Sequence, residues 1–331
     1  MKQKNISAVT AFAFAATLAL AACGGGGGGG GDSSSGTNNS STGSTAPSAS
    51  TGNVTTPQYA AGSVQLAMFN QLNAYRQQCG LPALVDNTIL DQATQAHAQY
   101  EADNNVVSDS ETAGNTGFTG ALYVDRAVHA GFPSGISVGG ASGGFYTGQT
   151  YTADQLATQL LAGWFGGVYH SGVVMGPAVS VGFGEVEKAT AGATQAWYAV
   201  SVTGSATLSN APLTFPCEGV TGVPYSEVGG EVPTPPNTSG AWGTPVAVVG
   251  GLNDVVRLTA ASMVDSSGTN IALQLLDSSN DTNKVLQPYQ ATAYPAVPLA
   301  PNTKYTVTLS GTINGTSFSR SFSFTTGNLV G

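Results

Sequence analysis

The sequence predicts an α+β protein of two folded units: a mixed α and β first domain, then a small all-β sandwich. Three observations predict it. Apolar residues recur at helical spacing in three stretches before residue 165. A Pro-rich break with Pro224, Pro233, Pro235 and Pro236 then interrupts the chain over 217–240. Beyond it, apolar residues alternate with a period of two, as in half-buried strands.

The elements follow in order. Lys2 and Lys4 precede an apolar run from Ile6 to Leu20, too short and too early for a spanning helix, and this reads as a signal peptide over 1–22. Leu20-Ala-Ala-Cys23 resembles a bacterial lipobox, which makes Cys23 the lipidation site and the membrane a partner through that anchor. Gly24 follows Cys23, and by resemblance to Gram-negative sorting rules this favours the outer membrane. Gly24–Gly31 is an unbroken glycine run, and the residues up to Thr56 are nearly all small or polar. Such a stretch cannot bury enough apolar surface to offset its ordering entropy, so 23–60 reads as a tether.

The first domain is expected over 61–216. Leu66, Phe69, Leu72 and Tyr75 predict a helix over 61–78, ended by Gly80 and Pro82. Asp86 or Asn87 caps a second helix carrying Leu90, Ala93, His97 and Tyr100 on one face. Thr152-Ala-Asp-Gln155 is a capping box for a third, with Leu156, Leu160 and Trp164. Strands are expected near 178–184 and 196–204, and the Gly- and Ser-rich stretch 137–150 reads as loop. In the last unit, 241–328, strands are expected at Val246–Val249, Val255–Leu258, Ile271–Leu276 and around Tyr305–Leu309. Asn314-Gly315 predicts a type I′ hairpin turn, with Phe318, Phe322 and Phe324 returning on one face.

Composition excludes some partners. Without the two leader lysines, seven basic residues stand against eighteen acidic ones, a formal charge of −11. Nucleic-acid binding needs Lys and Arg clusters to neutralise phosphates, and none occurs. With Cys23 committed to lipid, Cys79 and Cys217 remain as a pair in an oxidising compartment, and a disulfide between them is expected. Closing so long a loop stabilises by up to ~4–5 kcal/mol in the chain-entropy model.

Several runs together resemble the CAP superfamily (cysteine-rich secretory, antigen 5 and pathogenesis-related proteins), in its bacterial SCP-like extracellular branch. They are Asn73-Ala-Tyr-Arg76, Cys79-Gly-Leu-Pro82, Leu90-Asp-Gln-Ala93 with His97, Gly117–Gly120 with Asp125-Arg126, Val168-Tyr-His170, and Val181-Gly-Phe-Gly184. The resemblance covers about 61–216 and implies an α-β-α sandwich with a cleft. Tyr305-Thr-Val307 and Phe322–Thr326 resemble the Ig-like modules appended to such proteins. The family's cleft commonly holds two His and two acidic residues, with zinc or another divalent cation in some members. His170 matches the second histidine. Asp109-Ser-Glu111 stands where the first is expected, and the carboxylate expected after the helix tryptophan is replaced by Phe165-Gly166-Gly167. The resemblance therefore leaves His170, Asp109 and Glu111 as a reduced cleft set, with His170 as the candidate metal ligand.

His97 reads as a satisfied core residue, and His129 as surface or packing. Arg126 with Asp125 reads as a hydrogen-bonded corner. Gly140-Ala-Ser142-Gly-Gly144 fits the pattern of a nucleophile elbow, but no helix is expected directly after it, so it is set aside. The function expected is binding of a lipid, glycan, peptide or protein ligand in the cleft of an envelope lipoprotein. The alternatives are a metal-assisted or His/carboxylate hydrolase of peptide or cell-wall material, and an adhesin with a vestigial cleft.

Overall fold

The computed structural model describes residues 11–12, 52–190 and 192–331. Apart from a two-residue strand at Ala11–Phe12, which pairs with Glu231–Val232, the expected leader lies outside the described residues, as do Cys23 and the tether up to residue 51. The end of the expected tether is already structured. Asn53–Val54 forms an edge strand against Val85–Asn87, and the Gln58 N–H donates to the Asp86 carboxylate. Among the described residues no helix is long and apolar enough to cross a membrane.

The first domain is built on a five-stranded sheet. Its order is Asn53–Val54, Val85–Asn87, Ser180–Thr190, Ala193–Thr203 and Val138–Thr147. Helix α1 (Val64–Gln78) starts where Ser63 accepts the Leu66 N–H. Helix α2 (Thr88–Asn104) is capped by Asn87, which accepts the N–H groups of Ile89 and Leu90, and it ends at Asn105 in the left-handed region. Helix α4 (Ala153–Gly166) carries the expected Thr152/Gln155 capping box. Two short helices, α3 (Tyr123–His129) and α5 (His170–Val174), are too short for periodicity to reveal.

The strand Ser180–Thr190 shows how the layers assemble. Val181 and Phe183 point into the core shared with Met68, Leu72, Leu160 and Trp164 of α1 and α4. Gly182 and Gly184 face the other way, against α2. A Cβ at Gly182 would lie 2.3 Å from the Leu90 carbonyl carbon, and one at Gly184 would lie 2.2 Å from the Thr94 oxygen. The glycines let α2 lie directly on the sheet, which makes the domain the α-β-α sandwich that the resemblance implies.

The stretch 137–150, expected as loop, is a ten-residue edge strand, Val138–Thr147. Two of its glycines, Gly140 and Gly143, are required by neighbouring rings rather than by turns. A Cβ at Gly140 would strike the Tyr123 ring at 2.4 Å, and one at Gly143 the Tyr198 ring at 2.3 Å. Local propensity disfavours glycine in a strand, and here packing overrides it.

The C-terminal unit is an all-β sandwich of two sheets. One runs Gln274–Asp277, Gln290–Tyr294, Val246–Val249, Leu213–Phe215. The other runs Asn270–Ile271, Val256–Asp265, Lys304–Ile313, Thr316–Thr326, Thr221–Val223. Asn314 (φ 52°) and Gly315 (φ 79°) make the expected turn. Gln290–Tyr294 is buried along its whole length, so it shows no alternation to read.

Two strands correct the expected boundaries. Leu213–Phe215, assigned to the first domain, completes a sheet of the second. Thr221–Val223, inside the expected linker 217–240, pairs with Thr325 and Thr326. The Pro-rich segment is thus built into both units, and one apolar core runs from Leu72 and Trp164 through Phe215 to Val248 and Val307. The Cys79–Cys217 disulfide is present, spanning a sequence separation of 138 with Cα atoms 5.5 Å apart, and ties the end of α1 to this junction.

Candidate functional site

A gathering of chemistry-bearing side chains lies beneath the loop that joins α2 to α3. Helix α2 supplies His97 and Glu101, one turn apart on the same face. The loop supplies Asp109 and Glu111, α3 supplies Tyr123 and Arg126, and the Gly-rich edge strand supplies Ser142. The loop can close over α2 because Gly117 takes a left-handed φ of 77° against the Tyr100 backbone, and the Tyr100 hydroxyl accepts the Thr112 N–H.

His97 is the hub. Its Nδ1 lies 2.9 Å from Glu111 Oε1, and its Nε2 lies 3.1 Å from Ser142 Oγ and 2.9 Å from the Ser108 carbonyl oxygen. Glu111 also accepts the N–H groups of Thr119 (2.6 Å) and Gly120 (3.2 Å). Asp109 Oδ1 accepts the Tyr123 hydroxyl at 2.6 Å and the Ser142 N–H at 2.8 Å. Because Val138–Thr147 is an edge strand, that N–H has no strand partner, and the carboxylate takes its place. Arg126 donates to the carbonyls of Asp109 and Ala121, and its guanidinium lies 4.3 Å from the Tyr123 ring centroid. This is the expected structural corner for Arg126, made through carbonyls rather than through Asp125.

The electrostatics follow from burial. Desolvation pushes His97 down to about 4, so the ring is neutral at ordinary pH. It pushes Asp109 up to about 7, and Glu101 well above the usual carboxylate range. Burial also pushes Glu111 upward, but the hydrogen bonds from His97 and Thr119 outweigh it and hold Glu111 below that range. The order Ser142–His97–Glu111 is that of a hydroxyl–imidazole–carboxylate relay. Two features work against its use. Ser142 is only 1% exposed, and its N–H, which an oxyanion would need, is already given to Asp109.

The expected set of His170, Asp109 and Glu111 is not brought together. His170 opens α5, where its Nδ1 faces Glu231 Oε1 at 3.3 Å. The Glu231 carboxylate also accepts the N–H groups of Val168, Tyr169 and His170 at 2.7, 2.8 and 3.0 Å, capping the helix start. Glu231 comes from the expected linker, so a reading confined to 61–216 had no means of finding it. Burial pushes His170 down to about 4 and Glu231 up to about 8. His97 has a second role beside the one expected of it. It is a satisfied core residue, but it is the centre of the site that Asp109 and Glu111 join. The adverse signal was its place on an apolar helix face; the favourable one was Glu101 a turn later.

These residues do not fit the divalent cation that the resemblance implies. Both His97 nitrogens and both Glu111 oxygens already face protein partners, and His170 has a single carboxylate beside it. Among the described residues no group of three or more His, Cys, Asp or Glu side chains is arranged to hold a metal.

A pH dependence follows. Burial raises Asp91 and Glu231 to about 8, and Asp109, Glu185 and Glu227 to about 7. A carboxyl with a raised folded pKa stabilises the fold while protonated, and loses that contribution as pH rises through the folded value. His97 and His170, lowered from 6.5 to about 4, act in the opposite sense, but only below pH 6.5. Between pH 6.5 and 8 the carboxyls act alone, so stability is expected to fall by at least about 2 kcal/mol. Thermal melts across that window check this; a flat or rising Tm would contradict the assignment. Glu231→Gln should flatten part of the slope.

Residues 69–200 match the family model of CAP, the cysteine-rich secretory protein family. No curated protein matches the chain. Among solved structures, an extracellular protein containing an SCP domain from Bacillus anthracis str. Ames is 18% identical with a TM-score of 0.31. The match covers 42% of this chain and 40% of that one, so less than half of that protein's length is spanned.

Proposed function

Residues 69–200 being a domain of the CAP, or cysteine-rich secretory protein, family, we propose that this chain is a binding protein of the cell envelope rather than an enzyme. It would be held by lipid on Cys23 and displayed on the tether that follows, at the outer membrane. The observation that carries the reading is the buried hydrogen-bond network around His97. The imidazole, both loop carboxylates and the Ser142 N–H all face protein partners, so the groups that general acid–base chemistry needs are spent on holding the loop. That same loop and α3 leave the apolar side chains of Val106, Phe118, Leu122 and Val128 exposed. A lipid, a glycan or a peptide carrying an apolar group would meet them there.

Ligand panels of these three classes test the reading through thermal melting, because a ligand that binds only the native state raises Tm. A ligand-dependent rise that Phe118→Asp abolishes, with the unliganded Tm unchanged, is the expected result. A panel without any shift would sink it. Anchoring is tested separately: Cys23→Ser should move the protein from the membrane fraction to the soluble one.

A second reading has one observation in its favour, the 3.1 Å and 2.9 Å contacts that link Ser142, His97 and Glu111. Opening of the loop would expose a serine hydrolase relay. Fluorophosphonate labelling distinguishes the two readings. No Ser142-dependent labelling or ester hydrolysis is expected, and labelling that disappears in Ser142→Ala would favour the hydrolase.

A further inference from the structure

The turn that leads into α5 starts without a side-chain cap of its own. Gly167 has the backbone geometry of an N-cap: its φ of −70° and ψ of 131° are extended, and its carbonyl accepts the Ser171 N–H at 3.1 Å. Asp, Asn or Ser at such a position accepts the N–H groups two and three residues further on. Glycine has no side chain to do so, and the N–H groups of Tyr169 and His170 need an acceptor from elsewhere.

Glu231 accepts both, at 2.8 and 3.0 Å, and takes the Val168 N–H at 2.7 Å as well. It stands sixty-one residues beyond His170 in the chain. A side chain on residue 167 would claim the same space. An ideal Cβ there lies 2.8 Å from Glu231 Oε1 and 2.9 Å from His170 Nδ1. The preceding glycine is matched in the same way, because a Cβ on Gly166 would lie 2.9 Å from Glu227 Oε2. The segment that carries both carboxyl groups is fastened beside them. Glu227 and Trp242 exchange main-chain hydrogen bonds of 2.8 and 3.1 Å, and the fully buried Trp242 indole donates to the Gly166 carbonyl at 2.9 Å. Residues 227–242 thus form a strap over the glycine pair, and Glu231 both caps the turn and faces His170 Nδ1 at 3.3 Å.

We infer that Glu231 is a positioning residue for His170: the strap supplies the cap and the ring partner that residue 167 lacks, so His170 keeps its setting only while the strap is docked. Which imidazole nitrogen carries the proton is set by the bond that the other makes, and Glu231 makes that bond here. The strap runs on into the strand Val246–Val249, so the setting of His170 is tied to the second unit.

The chain has three histidines, so ring-nitrogen NMR signals of the intact protein can tell His170 from His97 and His129. A single His170 tautomer is expected. Glu231→Ala should turn it into a mixture and leave the His97 ring unchanged. It should also quicken hydrogen exchange at the Tyr169 and His170 N–H groups at least about tenfold. Gly167→Asp alone should loosen the same turn, because two carboxyl groups would then compete for one space. Gly167→Asp combined with Glu231→Ala should restore slow exchange and a single tautomer, since a carboxylate on residue 167 reaches the same N–H groups. If Glu231→Ala does not fold, recovery of folding in the double variant is the same test. An unchanged His170 ring in Glu231→Ala, an equal change at His97, or a double variant no better than Glu231→Ala would overturn the inference.

Discussion

Replacing Arg76 with alanine is expected to remove about 4 kcal/mol of folding stability, a large part of what a single domain possesses. The side chain is fully buried at the end of α1 and has no carboxylate partner among the described residues. It makes four hydrogen bonds to main-chain carbonyls instead. Nε donates to Pro82 at 3.1 Å, Nη1 to Val174 and Gly176 at 2.8 and 2.9 Å, and Nη2 to Ala178 at 3.3 Å. One guanidinium thus ties the turn after α1 to the segment between α5 and the strand Ser180–Thr190. Truncation would leave those oxygens without donors and open a cavity, and each buried unsatisfied group costs about 1–3 kcal/mol. Burial lowers the guanidinium only to about 10, so it remains charged at ordinary pH. Arg76→Lys should recover less than half of the loss, because a single ammonium cannot reach four carbonyls in fixed directions. Urea denaturation of the three proteins measures this. A loss below about 1 kcal/mol in Arg76→Ala would show that water replaces the guanidinium, and that the tie has little weight.

Gly184→Val is expected to be as damaging by the opposite route, adding atoms where no space exists. Its Cβ would stand 2.2 Å from the Thr94 carbonyl oxygen and 2.6 Å from the Gln95 nitrogen. Both belong to the α2 backbone, so no rotamer change relieves the overlap. The helix would have to lift from the sheet and break contacts such as the 2.7 Å hydrogen bond between Thr94 and Ser201. Overpacking of this kind costs about 3 kcal/mol or more. Because α2 carries His97 and Glu101, the network beneath the loop should loosen with it. Hydrogen exchange at Thr119 and Gly120, whose N–H groups bind Glu111, should quicken more than exchange in the C-terminal sandwich. Equal quickening in both units would mean that the shared core unfolds as one.

What was legible from the chain alone shares one property: each signal is local. Asn87 and Thr152 announce helix starts, because a side-chain oxygen within three residues satisfies the first free N–H groups. Asn314-Gly315 announces a hairpin, because both residues tolerate positive φ. The alternation of Tyr305, Val307 and Leu309 announces a strand with one buried face. Cys79 and Cys217 could be paired by elimination once Cys23 was set apart. The ordered runs that resemble the CAP family carried the first domain as a whole.

What only the tertiary structure decided involves partners distant in sequence. The Gly-rich stretch 138–147 is an edge strand paired with Ala193–Thr203, and the rings of Tyr123 and Tyr198 fill the space beside Gly140 and Gly143, contacts that no local signal announces. His170 is met by Glu231, sixty-one residues later, rather than by Asp109 or Glu111. Leu213–Phe215 crosses the expected domain boundary because its hydrogen-bonding partners, Val249 to Ala247, are supplied by the next unit. His97 could be recognised as buried from its helix face, but not as the hub of a polar network. Its partners come from a loop, a short helix and an edge strand that meet only once α2 lies flat on Gly182 and Gly184. Periodicity reports which face of an element is buried; which charged groups are buried together depends on how the elements pack.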